Sequence, residues 1–339
     1  MFRISKTWIV ISLLKHTEMI SEESLLKILK YASKAPSGHN TQPWRFKTGN
    51  DTISVLPDFT RALPVVDHDN HALYISLGCA LENLIITANE FNYKTETEFT
   101  GDERQPQIVV KLSSAPGVDT SGLFDYIVKR QVTRSKFKPE KVPYSLLSEL
   151  FEETEVVHVK LFLSEEEADS LTPYIIEGNS LQFDKREFVA ELVSWLRFSE
   201  KEVMTKGDGI WSASMGLPNT GRFIGNFVMK NFVSAGTEEK RLKKLIKASA
   251  GFALFMVEKN DPIHWVKLGQ SFQRFGLIST KNNISHAHLN MPCEELQVRE
   301  KLIQDFNLGE LTPLLLIRFG YSEPMPYSFR RNLSCTLER

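Results

Sequence analysis

Apolar residues recur along this chain in two alternating periods, and the alternation lays out most of its elements. Ser21 precedes Glu22, Glu23 and Ser24, then Leu25, Leu26, Ile28 and Leu29. A hydroxyl cap with acids in the first turn predicts a helix running through about Ala32. A polar loop follows, Pro36-Ser37-Gly38-His39-Asn40, because proline cannot continue the helix and glycine admits unusual backbone angles. Strands are predicted at 44–48 and 52–56, joined as a hairpin through Gly49-Asn50-Asp51. From about Ala72 to Phe91, the residues Leu73, Leu77, Leu81, Leu84, Ile85 and Ala88 keep the spacing of a buried helix. Residues 108–112 read as a further strand.

The pattern begins again near Leu123. Helices are predicted at 123–131, 144–152, 165–178, 185–204, 262–282 and 293–306, and strands at 156–163, 250–258 and 314–319. Residues 205–236 break the periodicity with Gly207, Gly209, Gly216, Gly221, Gly225 and Gly236, Pro218 and several aromatics. Inside a compact protein such a stretch predicts a lid more than a linker. Leu77-Gly78-Cys79-Ala80 can also be laid over Leu268-Gly269-Gln270-Ser271, each in a long helix. The echo points to two related halves, 19–124 and 125–339.

Composition changes this picture little. The 41 basic and 42 acidic residues nearly cancel, which gives no reason to expect nucleic acid or a membrane surface as partner. Cys79, Cys293 and Cys335 have no paired spacing, so free thiols in a reducing, cytoplasmic setting are expected, without a zinc site. Arg3 and Lys6 precede a short apolar run at 8–14, but Lys15 and His16 end it early. Residues 1–18 are read as an extension and not a signal peptide.

Two segments carry candidate chemistry. The loop crowds Ser37, His39, Asn40, Thr41 and Gln42 ahead of Pro43-Trp44. Short amides and hydroxyls on a stiff loop suit the polar edge of a flat cofactor, although a helix-capping loop has the same composition. The run Lys129-Arg130-Gln131-Val132-Thr133-Arg134 places two arginines four apart. One helical turn would present both to a phosphate, and a solvated basic helix end fits equally. Arg330-Arg331 is a second basic spot. His286 and His288 would share a strand face, but no further ligands accompany them, and no metal is expected. Asp67, His68 and Asp69 read as a polar turn, and Asp58 with Arg61 as a structural connection.

Ala35-Pro-Ser-Gly-His-Asn-Thr-Gln-Pro-Trp44, followed by Arg45 and Phe46, resembles the nitroreductase-like flavoproteins, nearest the subfamily represented by the mycobacterial protein Acg. Ser76 through Leu84, Arg130 through Phe137, Asn290-Met291-Pro292, Arg299 and Leu314–Gly320 follow in the family's order, so the resemblance spans about 20 to 331. It implies an α+β fold of two halves, each with a mostly antiparallel sheet flanked by helices. In ordinary members two subunits share each FMN, one giving a basic stretch and the other the loop. Here the first half has only the loop and the second only the basic stretch. The resemblance therefore implies a fused pseudo-dimer with one FMN site, open to further self-association. It puts Arg130, Gln131 and Arg134 at the phosphate, with Arg330 or Arg331 closing that end. It brings Pro36, Ser37, His39, Asn40 and Gln42 across from the first half. It places Gln270 at the ring edge and the 285–288 segment, with His286 and His288, near the reactive nitrogen. Val132 departs from the family's hydroxyl. The implied activity is a reductase passing electrons from NAD(P)H through FMN to a nitroaromatic, quinone or similar acceptor. The alternative is a protein that stores or sequesters FMN beneath a lid.

Overall fold

A computed structural model describes residues 20–151, 154–232 and 234–338, and the expected extension over 1–18 lies outside them. From the N-terminal side the chain forms α1 (Glu22–Ala32), the hairpin β1 (Trp44–Thr48) and β2 (Thr52–Pro57), the long α2 (His71–Glu90), then β3 (Tyr93–Asp102) and β4 (Gln105–Ser114). It continues through α3 (Tyr144–Leu150), β5 (Val157–Phe162), α4 (Glu165–Asp184), α5 (Arg186–Trp195), β6 (Leu196–Arg197), α6 (Glu200–Lys206) and β7 (Ile210–Trp211). After α7 (Arg222–Phe232) and α8 (Ala235–Lys247) come β8 (Gly251–Val257), α9 (Pro262–Lys281), β9 (Ser285–His288), α10 (Met291–Glu294), α11 (Leu296–Asp305) and β10 (Thr312–Gly320).

Two four-stranded sheets result, in the orders β1-β2-β4-β3 and β5-β8-β10-β9. Every pairing in both is antiparallel. This is the α+β arrangement expected, with helices flanking each sheet. The first sheet comes wholly from residues 44–114 and the second from 157–320. The C-terminal tail then returns to the first sheet, where the Phe46 amide donates to Thr336 O at 2.7 Å and the Glu338 amide to Phe46 O at 2.8 Å.

The sheets are joined by α2 and α9, which cross at glycine. A Cβ on Gly78 would lie 2.0 Å from Val266 O, and one on Gly269 would lie 2.1 Å from Ile75 O. Main chain therefore meets main chain, and any side chain at either position would force the helices apart. These are the two glycines aligned by the internal echo. One turn on, the buried Gln273 Nε2 donates to Asn83 Oδ1 at 2.6 Å, which gives each of two buried amides a partner for one of its polar atoms. All of α2 except Ala72, Ile85, Asn89 and Glu90 is buried. It is long and apolar enough to cross a membrane, yet it lies in the core shared by both sheets.

Several expected boundaries move, each for a local reason. The helix expected over 123–131 is only a 3-10 turn at Phe124–Tyr126. Leu123 and Ile127 pack under it against Ile86 and Leu277, after which the chain leaves the helical path and the Thr133 amide reaches His286 O at 2.9 Å. The helix expected over 185–204 breaks at β6. There Arg197 turns inward and donates to Asp208 Oδ1 at 2.7 Å and to the Ser194 and Leu196 carbonyls. The helix expected over 293–306 divides at Glu295, whose backbone is extended and whose carboxylate receives Lys185 at 2.7 Å. Residues 205–236 are less irregular than expected, since they contain α7 and the capped start of α8, where Ser234 and Thr237 satisfy each other's amides.

Candidate functional site

The loop after α1 is held in an unusual conformation. His39, Asn40 and Gln42 have φ of 45°, 55° and 53°, a left-handed region disfavoured for residues with a Cβ. Such conformations persist only where surrounding contacts determine them, and the contacts are explicit. Ser37 Oγ accepts from the Gln42 amide at 2.9 Å. Gln42 is fully buried; its Nε2 donates to Gly207 O at 2.8 Å and its Oε1 accepts from the Arg331 amide at 2.9 Å. Asn40 Nδ2 donates to Gly209 O and to Phe329 O, both at 3.1 Å.

The loop is thus knotted to Gly207-Asp208-Gly209 and to the tail at 329–331. Asp208 lies between Arg61 and Arg197 and is ion-paired to both. Gly207 and Gly209 have φ of 66° and 79°, and a Cβ on Gly209 would lie 2.4 Å from Trp195 O, so neither position accepts a side chain without strain. Arg331 belongs to this knot, donating to Gln42 O at 3.2 Å and Cys335 O at 2.7 Å. Pro36, partly buried, leads into it. Arg61, expected as a connection, is one, since it also donates to Thr41 O. The side-chain amides of Asn40 and Gln42 therefore bind main chain of this protein, whereas the resemblance sends them to a flavin.

Beside the knot lies a cluster of cations. Arg130 and Arg134 are not on one helical turn, as the spacing suggested, but on irregular chain outside any helix or strand. Arg130 is buried, and its Nε and Nη1 have no hydrogen-bond partner. Its stem passes over Gly276 of α9, where an added Cβ would lie 3.1 Å from Arg130 Cδ and 3.5 Å from His286 Cε1. Burial and the neighbouring Arg130 pull Arg330 down to about 9, and burial alone takes Arg130 to about 10 against opposing help from Cys79 and Tyr327. Burial and Arg241 bring Arg134 to about 10 and Arg318 to about 9. All four remain charged at neutral pH. Among the described residues none of them forms an ion pair.

Three imidazoles complete the cluster. Burial, with Arg134 beside it, holds His39 at about 4, and burial with Arg134 and Arg130 holds His288 at about 4. His286 is pushed well below its ordinary value by burial, Arg130 and His288. All three are neutral at pH 7, because protonation would add charge to a field already positive. His286 and His288 share one face of β9, with their rings 5.7 and 5.2 Å from that of Phe272. The orphaned nitrogens Arg130 Nε and Nη1, Arg330 Nε, His39 Nδ1 and His286 Nε2 belong to residues of this cluster, whereas Arg318 pairs with Ala287 and so faces the other side of the sheet from His286 and His288. Buried donors without acceptors and cations without counter-ions make a setting that a phosphate would satisfy.

Two candidates lie apart from it. Gln131 Oε1 accepts from the Met325 amide at 2.7 Å and so pins the tail. Gln270 donates to Glu82 at 3.1 Å, in a 360 Å³ cavity also lined by Arg274 and Phe151, on a different face of α9 from Gly276. Sequence reasoning passed over Arg318, which is fully buried, donates to Ser135 O at 2.7 Å and sits 3.9 Å from the Phe137 ring centre. Its signal was a single arginine inside the apolar strand 314–319. Also unforeseen was His71, which joins Asp67 and Asp69 in a buried group whose donor atoms lie within 4.8 Å of one another. Those carboxylates are already engaged: Asp67 accepts the Ala72 and Leu73 amides, and Asp69 takes His71 Nδ1 and faces Arg299.

Known proteins share parts of this sequence and fold. A profile described as Nitroreductase family matches residues 14–53, the stretch that includes α1 and the knotted loop. A protein of Mycobacterium tuberculosis named "Putative NAD(P)H nitroreductase Rv3131" is 20% identical over 336 residues, 95% of this chain and 93% of its own length. The chain is thus similar to nitroreductase-family proteins, as its motifs led us to expect. The likeness to the M. tuberculosis protein named "Putative NAD(P)H nitroreductase acg" is local: 29% identity over 65 residues, 19% of this chain and 20% of acg. Among solved structures, the FMN-dependent nitroreductase NfnB from Mycobacterium smegmatis in complex with NADPH overlaps 65% of this chain and 99% of its own, at 16% identity and a TM-score of 0.43.

Proposed function

We propose that the protein binds FMN and passes electrons from a reduced nicotinamide nucleotide through it to an acceptor such as a nitroaromatic or a quinone. The observation that carries this reading is the cluster of buried Arg130 with half-buried Arg134 and Arg330, beside neutral imidazoles and without an ion pair among the described residues. A mononucleotide phosphate supplies the charge and the acceptors that these donors lack. When bound, FMN supplies the hydride chemistry.

The chain's own residues bind and orient. Arg130, Arg134 and Arg330 would hold the phosphate. Pro36, Ser37 and His39 would meet the cofactor from the loop. His286 and His288, neutral and backed by Phe272 and Phe275, offer ring nitrogens to polar edges without adding charge. The knot of Gly207–Gly209 on Asn40 and Gln42 closes the loop's far side to water. No side chain is assigned a proton transfer, because solvent can supply protons to an exposed ring.

The chain also reads as an intramolecular pseudo-dimer of 19–124 and 125–339, which the Gly78–Gly269 crossing supports. Its free cysteines, Cys79, Cys293 and Cys335, suit the cytoplasm. The knot itself favours a second reading, storage of FMN beneath a closed segment. Denaturing the purified protein should release FMN, and a colourless protein that takes up no added FMN sinks both readings. Anaerobic bleaching by NADH or NADPH supports the reductase. Bleaching by dithionite alone supports storage.

A further inference from the structure

On the outer side of the tail a groove of about 740 Å³ runs between α1 and residues 327–333. Lys27, Lys30 and Lys34 line one wall, and Tyr327, Arg330 and Arg331 the other. Lys27 and Lys30 share one face of α1, and Lys34 stands just beyond its end. Glu23 also lines the groove and is paired with Lys27 at 2.7 Å; with Arg330 assigned to the flavin phosphate and Arg331 donating to Gln42 O and Cys335 O, Lys30 and Lys34 are the ammonium groups left to a ligand. The walls are built: Arg330 Nη2 donates to Lys34 O at 3.1 Å, and the Tyr327 hydroxyl donates to Lys129 O at 2.9 Å while the residue stays 49% exposed. Arg330 and Tyr327 also belong to the electrostatic surroundings of Arg130, so the groove adjoins the cation cluster.

Two lysines facing a tethered, half-exposed aromatic ring make a surface that a nucleotide can recognise, the base stacking on the ring and a phosphate meeting the ammonium groups. We propose that this groove takes the adenosine 2′-phosphate end of NADPH and makes NADPH, not NADH, the reductant. The inference rests on the flavin reading for its purpose, since the cofactor's phosphate is accommodated by Arg130 and its neighbours and the groove is left for a second polyanion. The 2′-phosphate adds about −1.5 to −2 of charge, which is the difference between the two donors that a cationic groove senses.

The test uses purified, flavin-loaded protein and isothermal titration calorimetry with adenosine 2′,5′-bisphosphate, NADP⁺ and NAD⁺. NADP⁺ should bind at least about tenfold more tightly than NAD⁺, as expected for one or two charge-assisted contacts. Adenosine 2′,5′-bisphosphate should compete with NADP⁺. In the Lys30→Gln/Lys34→Gln variant the ratio of NADP⁺ to NAD⁺ affinity should fall towards one while the flavin content stays that of the wild type. Equal affinities in a yellow wild-type protein overturn the groove inference and leave the flavin reading standing. A variant that loses flavin but keeps its NADP⁺ preference also overturns it, because the groove then serves the cofactor. A colourless protein that still binds the bisphosphate through Lys30 and Lys34 refutes the flavin reading and upholds the groove as a nucleotide site.

Discussion

Replacing Arg130 with methionine separates its two roles, because the effects have opposite signs. Methionine keeps an aliphatic stem over Gly276 and removes the charge. In the ligand-free protein that charge is a load: burial brings Arg130 down to about 10. Each unit of pKa is worth about 1.4 kcal/mol, so the relief on removing it is roughly 3 kcal/mol as an upper figure. With an unfolding entropy of about 2.1 cal/mol/K per residue, a chain of this size should gain about 4 °C in Tm. FMN binding should move the other way, losing about 1.5–3 kcal/mol of charge-assisted contact, or roughly ten- to a hundredfold in Kd. Differential scanning fluorimetry on deflavinated protein and a flavin-fluorescence titration read the two effects separately. A ligand-free R130M that unfolds earlier than wild type and binds FMN unchanged would falsify the phosphate assignment.

The knot, the helix crossing and the imidazoles each give a further expectation. Gln42→Leu removes two buried hydrogen bonds and strands Gly207 O and the Arg331 amide, at a cost of about 2–4 kcal/mol; hydrogen exchange should rise at 207–209 and 331, and unchanged exchange there would disprove the clamp. Gly78→Ala should destabilise by at least about 3 kcal/mol, because its methyl meets Val266 O at 2.0 Å; a chemical denaturation midpoint equal to wild type would refute the close crossing. His39 and His288 titrate at about 4 when folded and at about 6.5 when unfolded. Their contribution is whole above about pH 6.5 and is lost as pH falls towards 4, since the unfolded chain takes up the protons first. FMN phosphate beside them should raise both values, visible as titration midpoints at higher pH in NMR of flavin-loaded than of ligand-free protein; identical midpoints would place the phosphate elsewhere.

What the chain disclosed in advance follows from where its side chains are spent. The helices α2 and α9 and the hairpin β1–β2 announce themselves because their burial repeats with the period of the element. β3 was not foreseen, since Lys94, Glu96 and Glu98 are exposed on an edge strand with no face wholly in the core. No period marks such a strand. Of the candidate site, the arginines of 130–134 and 330 and the histidines of β9 do converge, but sequence spacing assigned the first pair to a helix that does not form. Asn40 and Gln42 were legible as important and not as knots, because their partners are carbonyls of Gly207, Gly209 and Phe329, far along the chain. Backbone acceptors leave no trace in residue identity. Arg318 was legible in principle, as one charge in an apolar strand whose neighbours leave it no exposed side.

The glycine crossing has a consequence for how this protein is made. Gly78 and Gly269 stand 191 residues apart. At about 5–20 residues per second, the ribosome delivers α9 roughly 10–40 s after α2. For that interval α2 has emerged without the partner that covers it, and it is a helix apolar enough to be taken for a membrane span. The nascent chain must therefore be sheltered, by its own first sheet or by a chaperone, until the second half arrives. Late truncations that remove α9 should yield aggregation or mistargeting where a smaller active fragment might have been hoped for.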